Sequence, residues 1–213
     1  VKERGYLVCG VNSGLPGFAS EDDEGNWSGL DVDFCRAVSA AVFGDADKVE
    51  YLGLNSAQRF PTLASGSIDI LSRNTTWTIS RDVNLMFEFA GVSYYDGQGF
   101  LVPAALGITS ARGLDGAFVC IASETTSELN LNDYFAENNM AYRPIYVEGN
   151  KDAKAKLFAG ECDVFTTDAS GLASARAGAE NPDDWVVLPE IISKEPLGPL
   201  VRQGDQEWED VVR

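Results

Sequence analysis

The sequence predicts an α/β fold of two lobes, because a motif is repeated and strand patterns alternate with helix patterns. Residues 63–71 and 157–165 both read L-x-x-G-x-x-D followed by two apolar residues. Upstream of them, Leu7-Val8-Cys9 corresponds to Phe118-Val119-Cys120. Such alternation favours a parallel sheet with right-handed crossovers. The length of 213 residues is sufficient for two lobes of about 100 residues each.

The first half begins with a short buried strand at residues 5–11, bounded by glycine. A helix is predicted over residues 28–43, with Ser28 or Asp31 as its cap and Gly44 at its end, where a positive φ favours glycine. We expect its buried apolar face to comprise Phe34, Ala37, Val38, Ala41 and Val42.

A second helix is predicted over residues 57–65, preceded by the capping candidates Asn55 and Ser56. Pro61 is tolerable there only near the first turn. Residues 68–71 then form another buried strand. The aspartate of each repeated motif, at the start of its strand, is expected to serve a turn or a cap.

Two extended segments, residues 94–103 and 191–201, indicate that the chain crosses between the lobes twice. We therefore expect lobe 1 to comprise residues 1–99 and 197–213, and lobe 2 to comprise residues 100–196. A cleft between two such lobes, at the carboxyl ends of parallel strands, is where α/β folds bind small ligands.

The composition excludes several classes of function. The chain has 16 lysines and arginines against 33 aspartates and glutamates, a net charge of -17, whereas a binder of nucleic acid or anionic membrane needs the opposite sign. No apolar run is long enough to span a bilayer. The absence of histidine excludes Ser-His-Asp catalysis and histidine-ligated zinc. The acidic segment 21–26 lacks EF-hand spacing, so we interpret it as a solvated loop and expect no metal site.

The four cysteines, at positions 9, 35, 120 and 162, form no C-x-x-C pair, which disfavours a zinc ribbon or a thioredoxin motif. Their even number fits either disulfides in an oxidising compartment or four buried thiols. At the N-terminus, either a signal peptide has been removed or the sequence begins mid-chain. The C-terminus breaks off inside a helix-like pattern, so a further tail is expected.

Polar segments follow the predicted strands at residues 12–18, 72–82, 123–127 and 166–168. Hydroxyls and free N–H groups at helix starts bind carboxylates well. Arg81 adds a fork of donors suited to a bidentate carboxylate contact, and Asp168, from the opposite lobe, is placed to accept an ammonium group. Together these groups predict a site for a zwitterion.

Each assignment has a structural alternative. Arg81 would then be a surface arginine that caps a helix or pairs with the adjacent aspartate. Thr76 and Thr126 would be N-caps, a role compatible with ligand binding, and Asp168 would cap the helix that follows it. Trp77 would be a packing aromatic rather than a ligand stacker.

Seven segments also carry a family resemblance: Leu7–Asn12, Gly29–Arg36, Ser72–Asp82, Tyr94–Phe100, Glu128–Tyr134, Cys162–Asp168 and Val187–Gly198. Over essentially all 213 residues, the chain resembles the periplasmic solute-binding proteins of amino-acid ABC transporters. Within the class that has two hinge crossings, it is most similar to the general L-amino-acid-binding group. The resemblance implies a class II periplasmic-binding-protein fold.

The resemblance implies a role for each matching residue. The backbone carbonyl of Asn74 is expected to accept from the ligand ammonium. Thr76 is expected to contribute its hydroxyl and its N–H, and Arg81 is expected to clamp the ligand carboxylate. In lobe 2, Thr126 would assist at the carboxylate and Asp168 would hold the ammonium.

Three further residues match positions near the ligand side chain: Asn12 and Leu15 in the first loop, and Ser56 in a wall of the side-chain pocket. Asn12 and Leu15 stand where an acidic residue and a large aromatic could be. They therefore imply a pocket that is permissive for different ligand side chains and has no dedicated partner for a cationic one. We expect broad uptake of L-amino acids, with a preference for polar and medium-sized ones.

The sequence departs from the family pattern at two places. The family turn in lobe 2 reads Gly-Thr-Thr, whereas this chain has Glu124-Thr125-Thr126. A carboxylate here would repel the ligand if it points inward and would be harmless in solvent. Members of the group also continue well past residue 213.

The resemblance further implies one disulfide in each lobe, Cys9–Cys35 and Cys120–Cys162, formed in the periplasm of a Gram-negative bacterium. The expected partners are a free L-amino acid and a membrane ABC permease. No cofactor, catalytic activity, nucleic acid or direct membrane insertion is expected, and the receptor is expected to be a monomer. Two alternatives share the fold: a cyclohexadienyl dehydratase-like enzyme with Glu124 as its proton donor, and the extracellular sensor domain of a receptor.

Overall fold

The computed structural model describes all 213 residues, and they divide into two compact units. Unit 1 comprises Val1–Tyr95 and Pro196–Arg213, and unit 2 comprises Asp96–Glu195. The chain thus passes from unit 1 to unit 2 once and returns once. No helix combines the length and the apolar character needed to cross a membrane.

Fourteen strands and seven α-helices make up the regular structure of the chain. The strands are β1 (Leu7–Asn12), β2 (Ser20–Glu21), β3 (Trp27–Ser28), β4 (Val49–Leu54), β5 (Ile70–Leu71), β6 (Phe87–Phe89), β7 (Tyr94–Asp96), β8 (Gln98–Pro103), β9 (Phe118–Ala122), β10 (Arg143–Val147), β11 (Val164–Asp168), β12 (Trp185–Val187), β13 (Glu195–Leu197) and β14 (Leu200–Arg202). The helices are α1 (Leu30–Phe43), α2 (Arg59–Ala64), α3 (Ile79–Asn84), α4 (Thr126–Glu137), α5 (Asn150–Phe158), α6 (Ala169–Ala177) and α7 (Gln206–Val212).

Each unit contains a five-stranded mixed sheet, and the two sheets have corresponding strand orders. Unit 1 has the strand order β4-β1-β5-β14-β6, and unit 2 has the order β10-β9-β11-β8-β12. In each sheet the first three strands are parallel, as the alternating pattern predicts, and the last two add antiparallel pairing. The antiparallel strands lie at or near the points where the chain leaves and re-enters a unit, and β8 and β14 each follow a short strand rather than a crossover helix.

Helix α1 begins and ends with glycine. Gly44 ends it in the left-handed region, as predicted, and its N–H donates to the carbonyl of Ala40. The predicted caps were wrong, because Gly29 occupies the N-cap with no side-chain bond and Asp31 lies within the first turn. A Cβ at residue 29 would clash with the backbone carbonyl of Phe18, so only glycine fits.

The predicted buried face of α1 was right in part. Val38 is buried, Phe34 and Val42 are half-buried and pack against the core, and Ala37 and Ala41 are exposed. The buried residues are Asp31, Val32, Cys35, Val38 and Ser39. The disulfide from Cys35 to Cys9 on β1 and the inward-facing carboxylate of Asp31 set this orientation, and neither constraint is visible in hydrophobic periodicity.

The aspartate of each repeated motif binds the neighbouring parallel strand at two points. The N–H of Asp69 donates to the carbonyl of Val8, and the N–H of Val8 donates to Oδ2 of Asp69, both at 2.8 Å. Asp163 makes the same pair of bonds with Phe118, again at 2.8 Å. These aspartates therefore fix a strand pair.

Both disulfides form as the family resemblance implies. Cys9–Cys35 joins β1 to α1 within unit 1, and Cys120–Cys162 joins β9 to the turn before β11 within unit 2. All four cysteines are buried in their units' cores and none is free. The alternative of four buried thiols is therefore not adopted.

Candidate functional site

In unit 1, the carboxyl ends of two adjacent parallel strands bring predicted site residues together. Asn12 ends β1, and Asn74 lies in the segment that follows β5. Nδ2 of Asn12 donates to Oδ1 of Asn74 at 2.8 Å, and Oδ1 of Asn12 accepts the N–H of Gly14 at 3.1 Å. The two loops that the sequence assigns to the ligand are thus joined directly.

The returning chain holds the segment after β5 in place. The N–H of Gly198 donates to the carbonyl of Thr75 at 3.0 Å, and the N–H of Trp77 donates to the carbonyl of Pro196 at 2.7 Å. Between them, Thr76 forms an isolated antiparallel bridge with Leu197 and is buried. These bonds fix the backbone around Thr76.

Arg81 is anchored at the start of α3. Thr78 caps this helix by accepting the N–H of Arg81, and the Arg81 side chain is only 8% exposed. Its Nη1 donates to the carbonyl of Thr76 at 2.8 Å, and its guanidinium carbon lies 5.4 Å from the centroid of the Phe60 ring. The arginine is therefore buried rather than a surface residue, and Thr78, not Thr76, is the cap.

The other predicted residues of unit 1 have packing roles in the structure. The ring of Trp77 stacks on that of Phe89 with the ring centroids 5.3 Å apart, as expected for a packing aromatic. Leu15 is fully buried in a small cluster with Phe18 and Leu197. Ser56 is barely exposed, and its hydroxyl accepts a bond from another buried arginine.

That second arginine, Arg73, interacts electrostatically with the buried carboxylate of Asp31. Its Nε donates to the carbonyl of Leu54 at 3.3 Å and its Nη2 to Oγ of Ser56 at 3.4 Å. Asp31 accepts the backbone N–H of Asn74 and is attracted to the Arg73 charge. Burial nevertheless dominates and raises the pKa of Asp31 to about 7.

In unit 2, α4 begins directly after β9. Thr125 is the N-cap: its hydroxyl accepts the N–H of Glu128 at 3.2 Å and donates to the carbonyl of Ala122 at 2.7 Å. Thr126 is therefore the first helical residue and not the cap. Its hydroxyl donates to Oε2 of Glu195 at 3.0 Å.

Glu195 is a buried residue of the site that sequence reasoning missed. It is 2% exposed, and its Oε1 accepts bonds from Nδ2 of Asn130 at 2.7 Å and from Oγ of Ser193 at 2.5 Å. The Thr126 hydroxyl thus directs its proton to Glu195. The backbone N–H and the hydroxyl lone pairs are what Thr126 can then offer a ligand.

Asp168 ends β11 and occupies the N-cap position of α6, but its side chain makes no capping bond to that helix. The first turn is served by Asp96, whose carboxylate oxygens lie 3.4 Å from the N–H of Ser170, and by the carbonyl of Gly97, which accepts from Ala169 at 2.7 Å. Asp168 is 5% exposed. The alternative in which it caps α6 is therefore not adopted.

The structure also explains the unusual residue in the turn before α4. Glu124 has a φ of 59°, in the left-handed region that favours glycine, and its side chain is exposed. Its N–H donates to Oε2 of Glu128 at 3.0 Å. The family's glycine at this place is thus replaced by a residue that keeps the backbone conformation at a cost of about 1–2 kcal/mol.

No group of three or more acidic or cysteine side chains is placed to hold a metal ion. The acidic loop is organised by Asp22, whose Oδ1 accepts the N–H groups of Glu24 and Asn26. A concavity of about 440 Å³ in unit 1 is lined by residues that include Val1, Lys2, Arg202 and Trp208, and contains none of the predicted site residues.

Comparison with known proteins assigns the family. The family model of bacterial extracellular solute-binding proteins, family 3, matches residues 7–213. The general L-amino acid-binding periplasmic protein AapJ of Rhizobium johnstonii is 58% identical over 212 residues, which is 100% of this chain and 62% of AapJ. The glutamate/glutamine/aspartate/asparagine-binding protein BztA of Rhodobacter capsulatus is 55% identical over 213 residues, 100% of this chain and 63% of BztA.

Solved structures of binding proteins are also similar to this chain. A periplasmic binding protein of an ABC transporter from Brucella ovis, with glutathione bound, superposes with a TM-score of 0.96 at 55% identity, covering 100% of this chain and 67% of that one. An ancestral arginine-binding protein bound to glutamine gives a TM-score of 0.86 at 26% identity, covering 98% of this chain and 89% of that one. The chain spans 62–63% of the length of AapJ and BztA. It belongs to family 3 of the bacterial extracellular solute-binding proteins.

Proposed function

We propose that this chain is the ligand-binding part of an extracytoplasmic receptor that binds free L-amino acids and delivers them to an ABC transporter. One observation carries the proposal: Arg81 is buried and held through the Thr76 carbonyl at the start of α3, with a guanidinium suited to a carboxylate. The similarity to AapJ, a general L-amino-acid-binding protein, supports a broad range of ligands.

The proposed ligand takes contacts from both units. In unit 1, Arg81 binds the α-carboxylate, Thr76 assists through its hydroxyl and N–H, and the carbonyl of Asn74 accepts from the ammonium. In unit 2, Asp168 binds the ammonium and Thr126 assists at the carboxylate. Because the Thr126 hydroxyl donates to Glu195, we assign that assistance to the Thr126 backbone N–H.

The ligand side chain is proposed to meet Asn12, Leu15 and Ser56. None of these residues is charged, so none of them selects a ligand side chain by its charge. The similarity to BztA, which is named for two acidic amino acids and their amides, supports a preference for polar ligands.

We propose that binding proceeds in two steps. The ligand first binds Arg81 on unit 1, and the contacts from Asp168 on unit 2 are gained only in the ligand-closed state. That difference in affinity between the two states shifts the population toward the closed state, which is presented to the permease. The proposed binding and delivery involve no catalytic step.

The relatives support a place of action for the proposed receptor. Because AapJ is a periplasmic protein, we propose that this receptor works as a monomer in the periplasm of a Gram-negative bacterium, with an ABC permease as its membrane partner. The two disulfides support an oxidising compartment.

A thermal-shift panel of the twenty L-amino acids tests the proposal, on protein that has been unfolded and refolded to remove carried-over ligand. A ligand at ~100 times its dissociation constant stabilises the folded protein by about 2.7 kcal/mol. For a chain of this size the midpoint should rise by roughly 5–10 °C. Arg81→Ala and Asp168→Ala should each remove the shift.

The matched control is Arg36→Ala, which removes an exposed arginine whose surface ion pair with Asp47 stabilises the protein little. This variant should respond as the wild type does. Binding by Arg81→Ala or Asp168→Ala that equals the wild-type binding would refute the assigned roles. A folded wild type that responds to no amino acid would refute the function.

Glutathione is a second candidate ligand. The Brucella ovis relative, which matches the whole of this chain at 55% identity, has glutathione bound. Glutathione carries the same α-amino and α-carboxylate groups at its glutamyl end, so Arg81 and Asp168 would bind it in the same way. Adding glutathione to the panel, with its glutamyl-free dipeptide as the control, tests this possibility directly.

A further inference from the structure

The first turn of α4 is attached to the rest of unit 2 at two adjacent residues. At Thr126 the side-chain hydroxyl donates to Glu195. At Ser127 the backbone carbonyl accepts a bond from Nε2 of Gln98 at 2.9 Å. Ser127 is buried and Gln98 is fully buried, so the second attachment is shielded from water. The turn that supplies the proposed carboxylate contact of unit 2 is therefore fixed at two points.

Gln98 also binds the strand that carries Asp168. Its Nε2 donates a second bond, at 2.9 Å, to Oγ1 of Thr166 on β11. That hydroxyl donates in turn to the carbonyl of Gly99 at 2.7 Å. In the antiparallel pairing of β8 with β11, Gln98 lies directly opposite Asp168. One side chain thus joins α4 to β11, the two elements whose ends carry Thr126 and Asp168.

The side-chain amide of Gln98 acts only as a donor. Its Nε2 uses both hydrogens, on the Ser127 carbonyl and on the Thr166 hydroxyl, whereas its Oε1 accepts no hydrogen bond. An unsatisfied buried acceptor is costly, and an apolar side chain of the same shape would avoid that cost. Packing alone therefore does not favour glutamine here, and the two donated bonds are what the residue contributes.

A ring of hydrogen bonds connects the two attachments of the α4 turn. The backbone N–H of Gln98 donates to Oγ of Ser193 at 3.1 Å, and that hydroxyl donates to Oε1 of Glu195. Glu195 accepts the hydroxyl of Thr126, which precedes Ser127 in the chain. The bond from Nε2 of Gln98 to the Ser127 carbonyl closes the ring. Because each member restrains the next, the ring limits movement of the α4 turn relative to β8.

We propose that Gln98 is a positioning residue for ligand binding. By tying the first turn of α4 to β11, it holds the Thr126 N–H and the Asp168 carboxylate at the separation that the carboxylate and ammonium of an α-amino acid require. Gln98 is fully buried, and it acts through these two groups rather than by touching the ligand. The proposal rests on the receptor function proposed above and adds a residue on which the affinity of that receptor depends.

Isothermal titration calorimetry tests the proposal, with L-glutamate and L-glutamine as the probes because BztA is named for both. Gln98→Met removes the two donated bonds while it keeps an unbranched side chain of similar size. It should weaken the binding of both probes roughly 5–20-fold. The matched control is Gln203→Met, the same substitution at an exposed glutamine, which should leave both affinities unchanged.

A second pair of variants tests the same bond from the β11 side. Thr166→Val keeps the shape of the side chain but removes the hydroxyl that accepts from Gln98, so it should also weaken the binding of both probes. Thr166→Ser retains the hydroxyl and should bind both probes as the wild type does. This pair keeps the test decisive if Gln98→Met does not fold.

A double-mutant cycle separates positioning from a general loss of structure. Thr126→Pro removes the N–H through which Gln98 is proposed to act. Proline is favoured at the first position of a helix, and the preceding residue Thr125 already has the extended φ of -115° and ψ of 159° that proline requires before it. This variant should weaken binding roughly 10–100-fold. Thr126→Ala, which keeps the N–H, controls for loss of the hydroxyl and should weaken binding less.

Once the Thr126 N–H is absent, its separation from Asp168 no longer matters. Adding Gln98→Met to Thr126→Pro should therefore weaken binding by less than about threefold more. Additive losses, or wild-type affinity in folded Gln98→Met or Thr166→Val, would overturn the positioning role while leaving the receptor function intact. Thermal midpoints above the titration temperature establish that each variant is folded. A folded wild type that binds neither probe would overturn both proposals.

Discussion

Removal of the disulfide in unit 2 should be among the most destabilising changes available in this chain. Cys120 and Cys162 are separated by 42 residues, and opening that loop releases chain entropy in the unfolded state. The chain-entropy relation gives about 4 kcal/mol for a loop of this length. With roughly 2–4 °C per kcal/mol for a chain of this size, the midpoint should fall by about 8–16 °C.

The experiment uses two double variants, Cys120→Ala with Cys162→Ala, and Cys9→Ala with Cys35→Ala. The loop in unit 1 is shorter, with a separation of 26 residues, and should cost about 3.5 kcal/mol. Thermal unfolding by circular dichroism measures both. Because each alanine also removes a buried sulfur, the reduced wild type, which retains all four sulfurs, isolates the effect of the covalent link.

Two outcomes would refute the reasoning. A unit 2 double variant whose midpoint lies within about 2 °C of the wild type would show that the loop length does not govern stability here. A reduced wild type as stable as the oxidised protein, alongside unstable double variants, would assign the loss to packing around the sulfurs instead.

Two further predictions concern groups in unusual environments. Burial raises the pKa of Asp31 from 3.8 to about 7, so the folded state binds an additional proton between these values. Its stability should therefore fall as pH rises across that window, by at most roughly 4 kcal/mol, and urea titrations at pH 5 and pH 8 should show a smaller fall in Asp31→Asn. Glu124→Gly should raise the free energy of unfolding by about 0.5–1 kcal/mol, because φ at this residue is 59°. Asn139→Gly, at a φ of 53°, should gain less, since asparagine tolerates this region, and an equal gain at the two positions would contradict the argument.

The parts of the fold that depend on local chemistry could be predicted from the sequence. The glycines at 44, 66 and 160 all take a positive φ, as expected where a helix ends. The repeated motif also reports local structure, because it spans only a few residues. It correctly marked one parallel strand in each unit. The antiparallel strands of each sheet depend on where the chain returns, which is a long-range property.

The site residues divide in the same way. Arg81, Thr76 and Asp168 follow predicted strands, where ligand groups are expected, and all three are buried or nearly so. Glu195 was missed because its partners come from α4, more than sixty residues earlier in the chain.

The paired bonds of Asp69 and Asp163 have a consequence for how the sheets resist sliding. Strand β5 is only two residues long, so its own backbone bonds contribute little to its alignment with β1. Asp69 binds Val8 through both its N–H and its carboxylate, so a slip of β5 along β1 breaks two bonds at once, one of them charge-assisted. The aspartate therefore resists sliding of the two strands along their common direction. A force that slides β5 along β1 must break both bonds of Asp69, and one that slides β11 along β9 must break both bonds of Asp163.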